Sequence, residues 1–203
     1  MIFNRYKENM KLKTVFCPDP EGSDGFQYKI LRKNDEYMLT PRQFVDFLAL
    51  LKSGNASDEN GNAVNPAQLE AILDEITEVK DPWRAEHLDA KFDSSGLIRK
   101  TFRITYHKIK SDGTIEEVTE PLEDCLMSDK EPGIDLDDWL KNANNQGLPK
   151  PDAKKGDLWY WYPRNGAVAR FRANSDRANL NCNRNPTNTN DALGVRPAKL
   201  YKK

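Results

Sequence analysis

Asparagine dominates the end of this chain. It recurs at 165, 174, 179, 181, 183, 185, 188 and 190. Its side-chain amide competes with the backbone for hydrogen bonds, so asparagine disfavours helix interiors and strands alike. Residues 164–196 are therefore expected to be rich in loops and held in place by their own amide network. Within that stretch, Asn185 to Asn190 are expected to tie down irregular backbone rather than to bind. The regular scaffold must come from the residues before it.

That scaffold reads as a mixture. Thr14–Cys17 and the alternating Phe26, Tyr28, Ile30 pattern are strand-like. Thr40 followed by Pro41 predicts a helix start, Phe44, Phe47, Leu48 and Leu51 give its apolar stripe, and Gly54 its end. Asn65-Pro66 predicts a second start, with Leu69, Ile72, Leu73 and Ile76 as its stripe and Asp81-Pro82 as its stop. Leu97 to Ile109 alternates like a strand, Ser111-Asp112-Gly113 signals a hairpin, and Thr114 to Val118 is its partner. Asp135 to Leu140 starts a short acidic helix, and Leu158 to Tyr162 is an aromatic strand. Leu193 to Pro197 closes the chain as a terminal strand. Helices and strands do not alternate, which predicts an α+β fold.

The length, 203 residues, suits one domain or one domain with a large insertion. Thirty-one basic residues face 32 acidic ones, so charge offers no case for nucleic acid. The three cysteines, Cys17, Cys125 and Cys182, are too sparse for a disulfide framework, and no CxxC pair suggests zinc. Met1 to Lys13 lacks the apolar run of a signal peptide, and no stretch approaches the ~20 apolar residues of a membrane span. Asp58-x-Asn60-x-Asn62 has the start of a calcium loop, but Ala63 and Leu69 stand where glycine and glutamate belong. His87 and His107 are read as packed or surface residues, because no motif places a nucleophile near either.

Two stretches carry a family resemblance. Arg164-Asn165-Gly166-Ala167-Val168, then Asn179-Leu180-Asn181, Pro186 and Leu193-Gly194-Val195-Arg196, resemble the ending of the formylglycine-generating-enzyme subclass of the C-type lectin fold. Glu36 to Leu48 is similar to that subclass's opening strand and helix. The resemblance implies a C-type lectin-like α+β fold with two helices, antiparallel strands and a loop-rich C-terminal binding region. It implies a single domain over 26–203, preceded by an extension at 1–25. The middle, about 55–150, is an insertion without an assigned motif, and 164–196 is the segment of variable type. The enzyme's two cysteine positions fall on Ala173 and Ala178, so its oxidation chemistry is not expected here. Glu131-Pro132-Gly133 and Trp139-Leu140-Lys141 do not supply a lectin's calcium-and-sugar motifs.

The cysteine-free, asparagine-rich ending looks like that of the variable proteins of diversity-generating retroelements. There, adenine-directed mutagenesis rewrites asparagine-type codons on a rigid fold. This implies a non-catalytic protein with no metal or cofactor, binding a protein or other macromolecule, without nucleic acid or membrane insertion. Its location is left open, and any route to a virion or a cell surface would not use a signal peptide or a membrane span of this sequence. The expected ligand-binding positions are Tyr160, Tyr162, Asn165, Asn174, Ser175, Asp176, Asn179, Asn181 and Asn183, the asparagines standing exposed. In the aromatic strand, Tyr160 and Tyr162 should share one face and Trp159 and Trp161 the other. Arg164, Gly194 and Arg196 are expected as framework. The alternatives are an enzyme of the same fold with unrecognised chemistry, or an assembly protein of a virus particle.

Overall fold

A computed structural model describes residues 36–56, 62–79, 83–96, 101–110, 114–174, 177–188 and 193–199. The expected strands at Thr14–Cys17 and Phe26–Leu31, the turn at Ser111–Gly113, Cys17, and most of the calcium-like loop lie outside these residues.

Helix α1 (Pro41–Ser53) begins and ends where the sequence predicts. Thr40 Oγ1 accepts from the Gln43 amide at 3.2 Å, and Gln43 Oε1 accepts from the Thr40 amide at 3.0 Å. This closed capping box satisfies two of the helix's orphan N–H groups. Gly54 ends α1 in the left-handed conformation, φ 70°. In α2 (Pro66–Thr77), Asn65 Oδ1 accepts from the Ala67 amide at 2.9 Å. The short acidic helix is a third, α3 (Leu136–Asn142), capped by Asp135. The family resemblance implied two helices.

Seven strands form the main sheet: β2 (Arg84–Ser95), β3 (Thr101–Ile109), β4 (Ile115–Pro121), β5 (Lys130–Ile134), β6 (Leu158–Trp161), β7 (Ala167–Ala173) and β8 (Ala178–Arg184). Their order is β4-β3-β2-β7-β8-β6-β5, and β9 (Leu193–Gly194) joins beside the start of β2. The pair β6–β8 is parallel, as is β2–β9, and the other main-sheet pairs are antiparallel. A separate ribbon pairs β1 (Glu36–Met38) with β10 (Pro197–Lys199). The fold is α+β. The middle stretch supplies β2, β3 and β4, so it is part of the sheet.

The expectation of a loop-rich ending is corrected here, because Asn179, Asn181 and Asn183 all lie in strand β8. They alternate with Leu180 and Cys182, both fully buried. Hydrogen-bonded neighbours on both sides, β7 and β6, outweigh asparagine's poor intrinsic preference for strands.

The helices cover one face of the sheet. Phe44, Phe47 and Leu48 of α1 and Trp139 of α3 are buried with Leu88, Phe92, Ala169, Phe171 and Leu180 from the strands. Phe171 meets Phe44 at 5.1 Å and stacks on Trp139 at 6.3 Å between ring centroids. The Trp139 indole N–H donates to the Gly147 carbonyl at 3.0 Å. Among the described residues, no helix is long and apolar enough to cross a membrane.

Two glycines separate backbone strain from crowding. Gly147 and Gly166 both have positive φ, 82° and 71°. A Cβ on Gly147 would sit 2.2 Å from the Arg42 amide nitrogen, whereas one on Gly166 meets nothing within 4 Å. Gly166→Ala is expected to cost about 1–2 kcal/mol, the left-handed penalty alone. Gly147→Ala should cost clearly more, and urea-denaturation midpoints of the two variants check the order.

Candidate functional site

Strand alternation gives the sheet a second, polar face. Along β7, Ala169 and Phe171 point to the helices, so Val168, Arg170 and Arg172 point away. The register carries that face across the sheet. Arg170 stands opposite Asn181 and Arg172 opposite Asn179 on β8. Those asparagines stand opposite Trp161 and Trp159 on β6, and His87 of β2 stands opposite Arg170. Trp83, just before β2, lies with its ring 5.7 Å from the guanidinium of Arg170 and 5.7 Å from that of Arg172. Arg177 lies 5.2 Å from the ring of Trp159, which meets Trp161 edge-on at 5.5 Å.

The floor of this face is closed to solvent and its rim is half-exposed. Asn179 and Asn181 are 0 % exposed and Arg170 3 %. Trp83, Trp159, Trp161, Arg172, Arg177 and Arg184 are half-buried around them. Asn179 Nδ2 donates to the Arg177 carbonyl at 2.5 Å, and the amides of Asn174 and Asn179 meet at 2.9 Å. Arg184 Nε donates to Asn181 Oδ1 at 2.8 Å. Arg170 Nε, Asn179 Oδ1 and Asn181 Nδ2 are buried without a partner. Burial, then the charges of Arg184 and Arg172, lower Arg170 to about 9. Burial and the Arg170 charge lower His87 to about 4. Such depression marks basic groups enclosed away from water beside other positive charge.

The expected site residues divide. Asn179 and Asn181 are brought together, but the expectation that they stand exposed is corrected: β8 is interior to the sheet, and neighbours on both sides close over them. Tyr160, expected at the ligand, is 0 % exposed, faces the core and donates its hydroxyl to the Leu126 carbonyl at 2.9 Å. Burial pushes that hydroxyl well above its ordinary range. Tyr162 is half-buried, with the Arg164 guanidinium 3.3 Å from its ring centroid, and Arg164 also bonds Asp129 at 2.9 Å. Asn165 is exposed in the turn before β7, where its Oδ1 accepts from the Ser94 amide at 2.7 Å. Asn174 is half-buried, as is Asn183, which sits where β8 carries an additional residue between Asn181 and Arg184. Ser175 and Asp176 lie outside the described residues. Arg196 anchors the ending from the helix side, where its Nε donates to Glu86 at 2.8 Å.

Sequence reasoning missed Trp83 and the arginines 170, 172, 177 and 184. The alternation Arg170-x-Arg172 followed by Asn179-x-Asn181 was the available signal, since two polar pairs with period two mark one face of a hairpin.

A groove of about 610 Å³ lies elsewhere, lined in part by Tyr37, Arg42, Tyr106, Lys108, Glu120 and Gln146. Much of its polar lining is internally satisfied. Tyr106 and Gln146 both donate to Glu120, at 3.1 and 3.0 Å, and Glu123 accepts two bonds from Asn145 at 2.9 Å. The pair Asp89–His107, 3.0 Å apart, ties β2 to β3. No protein-family model, curated protein or solved structure matches the chain.

The depressed histidine makes stability depend on pH. In the unfolded chain the ring takes up a proton below its ordinary 6.5, while in the folded chain His87 stays neutral down to about 4. Its contribution is therefore complete above pH 6.5 and is lost as pH falls towards 4, by at most about 1.4 kcal/mol per pH unit. Denaturation midpoints measured between pH 4 and 7 should show this slope, and His87→Gln should flatten it.

Proposed function

We propose that the protein is a non-catalytic binding protein with a C-type lectin-like fold of the formylglycine-generating-enzyme subclass. In this reading its C-terminal segment is diversified by a retroelement to bind variable macromolecular ligands. The observation that carries the reading is the placement of the asparagine-rich segment. It contributes a strand to the middle of the sheet, and Asn165, Asn174 and Asn183 sit in turns or a bulge at its margins. A rigid sheet with variable side chains at its margins holds a binding surface without ordering cost at each new sequence.

A second feature supports the non-catalytic part. Ala173 and Ala178, where the resembling enzyme carries thiols, are directly paired across β7 and β8. Two methyl groups stand where a thiol pair would act, and a methyl group offers neither a nucleophile nor a metal ligand.

Among the described asparagines of the segment, burial favours Asn165, Asn174 and Asn183 as positions free to vary, with Asn179 and Asn181 as fixed floor. The gene is expected to use AAC or AAT at most asparagines of 165–183, with a near-copy of the segment beside a reverse-transcriptase gene. Absence of both contradicts diversification. A library with all residues allowed at 165, 174 and 183 should remain mostly folded, each change costing about 0.5–1.5 kcal/mol, the worth of a hydrogen bond such as the one Asn165 makes to the Ser94 amide. The same randomisation at 179 and 181 should give mostly unfolded chains, read by protease resistance.

A further inference from the structure

One dipeptide of this chain carries chemistry of its own. Asn-Gly occurs at 60–61 and 165–166, and every other asparagine of 164–190 is followed by a residue with a side chain. The amide carbon of an asparagine is an electrophile for the backbone nitrogen of the next residue, and glycine, without a Cβ, hinders that approach least. At 165 the Gly166 nitrogen would bond to Asn165 Cγ, the Cγ–Nδ2 bond would break, and ammonia would leave. Water then opens the five-membered imide at one carbonyl or the other, giving aspartate or isoaspartate. The balance is one water taken up and one ammonia released, with nothing oxidised or reduced.

Exposure favours this reaction at 165. Asn165 and Gly166 are both exposed, and a Cβ on Gly166 would meet nothing within 4 Å. Two bonds to strand β2 oppose it. The Gly166 amide donates to the Phe92 carbonyl at 2.8 Å, and Asn165 Oδ1 accepts from the Ser94 amide at 2.7 Å. Both have ordinary hydrogen-bond lengths. The first bond holds the proton that the attacking nitrogen must lose. The second fixes the electrophilic amide against Ser94, so the rotation needed for ring closure breaks it. The Ala167 amide, donating to the Arg164 carbonyl at 3.2 Å, closes the turn around the dipeptide.

We infer that Asn165-Gly166 is a latent deamidation site that β2 keeps shut in the folded chain. Conversion requires the turn to lift from Phe92 and Ser94, and its rate follows the fraction of time the turn is lifted. This site does not depend on the binding reading above. It bears on the same margin of the sheet, because isoaspartate lengthens the main chain by one carbon. Gly166 has a left-handed φ of 71° there and leads directly into β7, so a converted turn loses the spacing that both bonds to β2 need.

The test incubates the full chain in mildly alkaline buffer, folded and in guanidinium chloride, and reads the amide-to-acid mass gain by peptide mapping. In guanidinium chloride Asn60-Gly61, the same dipeptide, sets the rate of an open chain. Asn165 is expected to convert at that rate when unfolded and roughly tenfold or more slowly when folded, with the Gly166 amide hydrogen exchanging slowly in the folded chain. Ser94→Pro removes the donor to Asn165 Oδ1 and is expected to raise folded-state conversion at 165 several-fold, with thermal melting showing that the variant is folded. Equal conversion at 165 in folded and unfolded chains overturns the inference, as does a Gly166 amide that exchanges as fast as in an unstructured peptide. A folded Ser94→Pro that converts no faster than the parent overturns it too. Should that variant not fold, the conversion and exchange rates of the parent decide alone.

Discussion

The packing of Phe171 against Phe44 and Trp139 joins the helical layer to the sheet, and the polar face depends on it. Phe171 is 1 % exposed, touching one ring from α1 and one from α3. With Phe171 turned to the helices, strand geometry leaves no choice for its neighbours: Arg170 and Arg172 must turn the other way. A one-residue slip of β7 would bury two guanidiniums in the apolar core and expose Phe171. The cost of that exchange, rather than any contact on the polar face, fixes the register of the arginines and of the asparagines opposite them.

The two faces therefore follow different physics. The helix side is apolar, with Leu88, Phe92, Ala169, Leu180 and Cys182 buried among the helical side chains. It supplies the stabilisation that burial gives, roughly 25 cal/mol per Å² of apolar surface. The polar side collects arginines, asparagines and tryptophans, several with polar atoms that find no partner. Unsatisfied buried polar groups lower stability, so this face contributes less to the fold than the helix side does. Burial first, and neighbouring guanidinium charge second, depress Arg170 and His87 on this face.

The helices were legible in the sequence because their ends are chemically specific. Thr40-Pro41 with Gln43 three residues after the cap, and Asn65-Pro66, each mark one boundary, and both caps form as read. The sheet was less legible. β2 is twelve residues long yet mixes Ala, Asp, Glu, His and Lys, so its alternation is visible only once Leu88, Ala90 and Phe92 are known to face inwards. β7 is built from alanine, valine, arginine and one phenylalanine, too few large apolar residues to announce a buried strand. At the candidate site, the asparagines were found by composition, but composition carries no direction. Only pairing on both sides of β8 shows that Asn179 and Asn181 form a floor and that Tyr160 belongs to the core.

The faces of the sheet divide the labour: the helix side holds the fold together, and the binding reading proposed above assigns the half-exposed rim of the other side to a ligand. A full substitution scan of residues 158–184, read as the fraction of chains resisting protease, tests it most directly. Heavy loss is expected at Tyr160, Ala169, Phe171, Leu180 and Cys182 and at the enclosed Asn179 and Asn181, with broad tolerance at the half-exposed Trp161, Arg172, Arg177 and Arg184. Equal intolerance on both faces would contradict it, because the arginines and tryptophans would then be serving the fold.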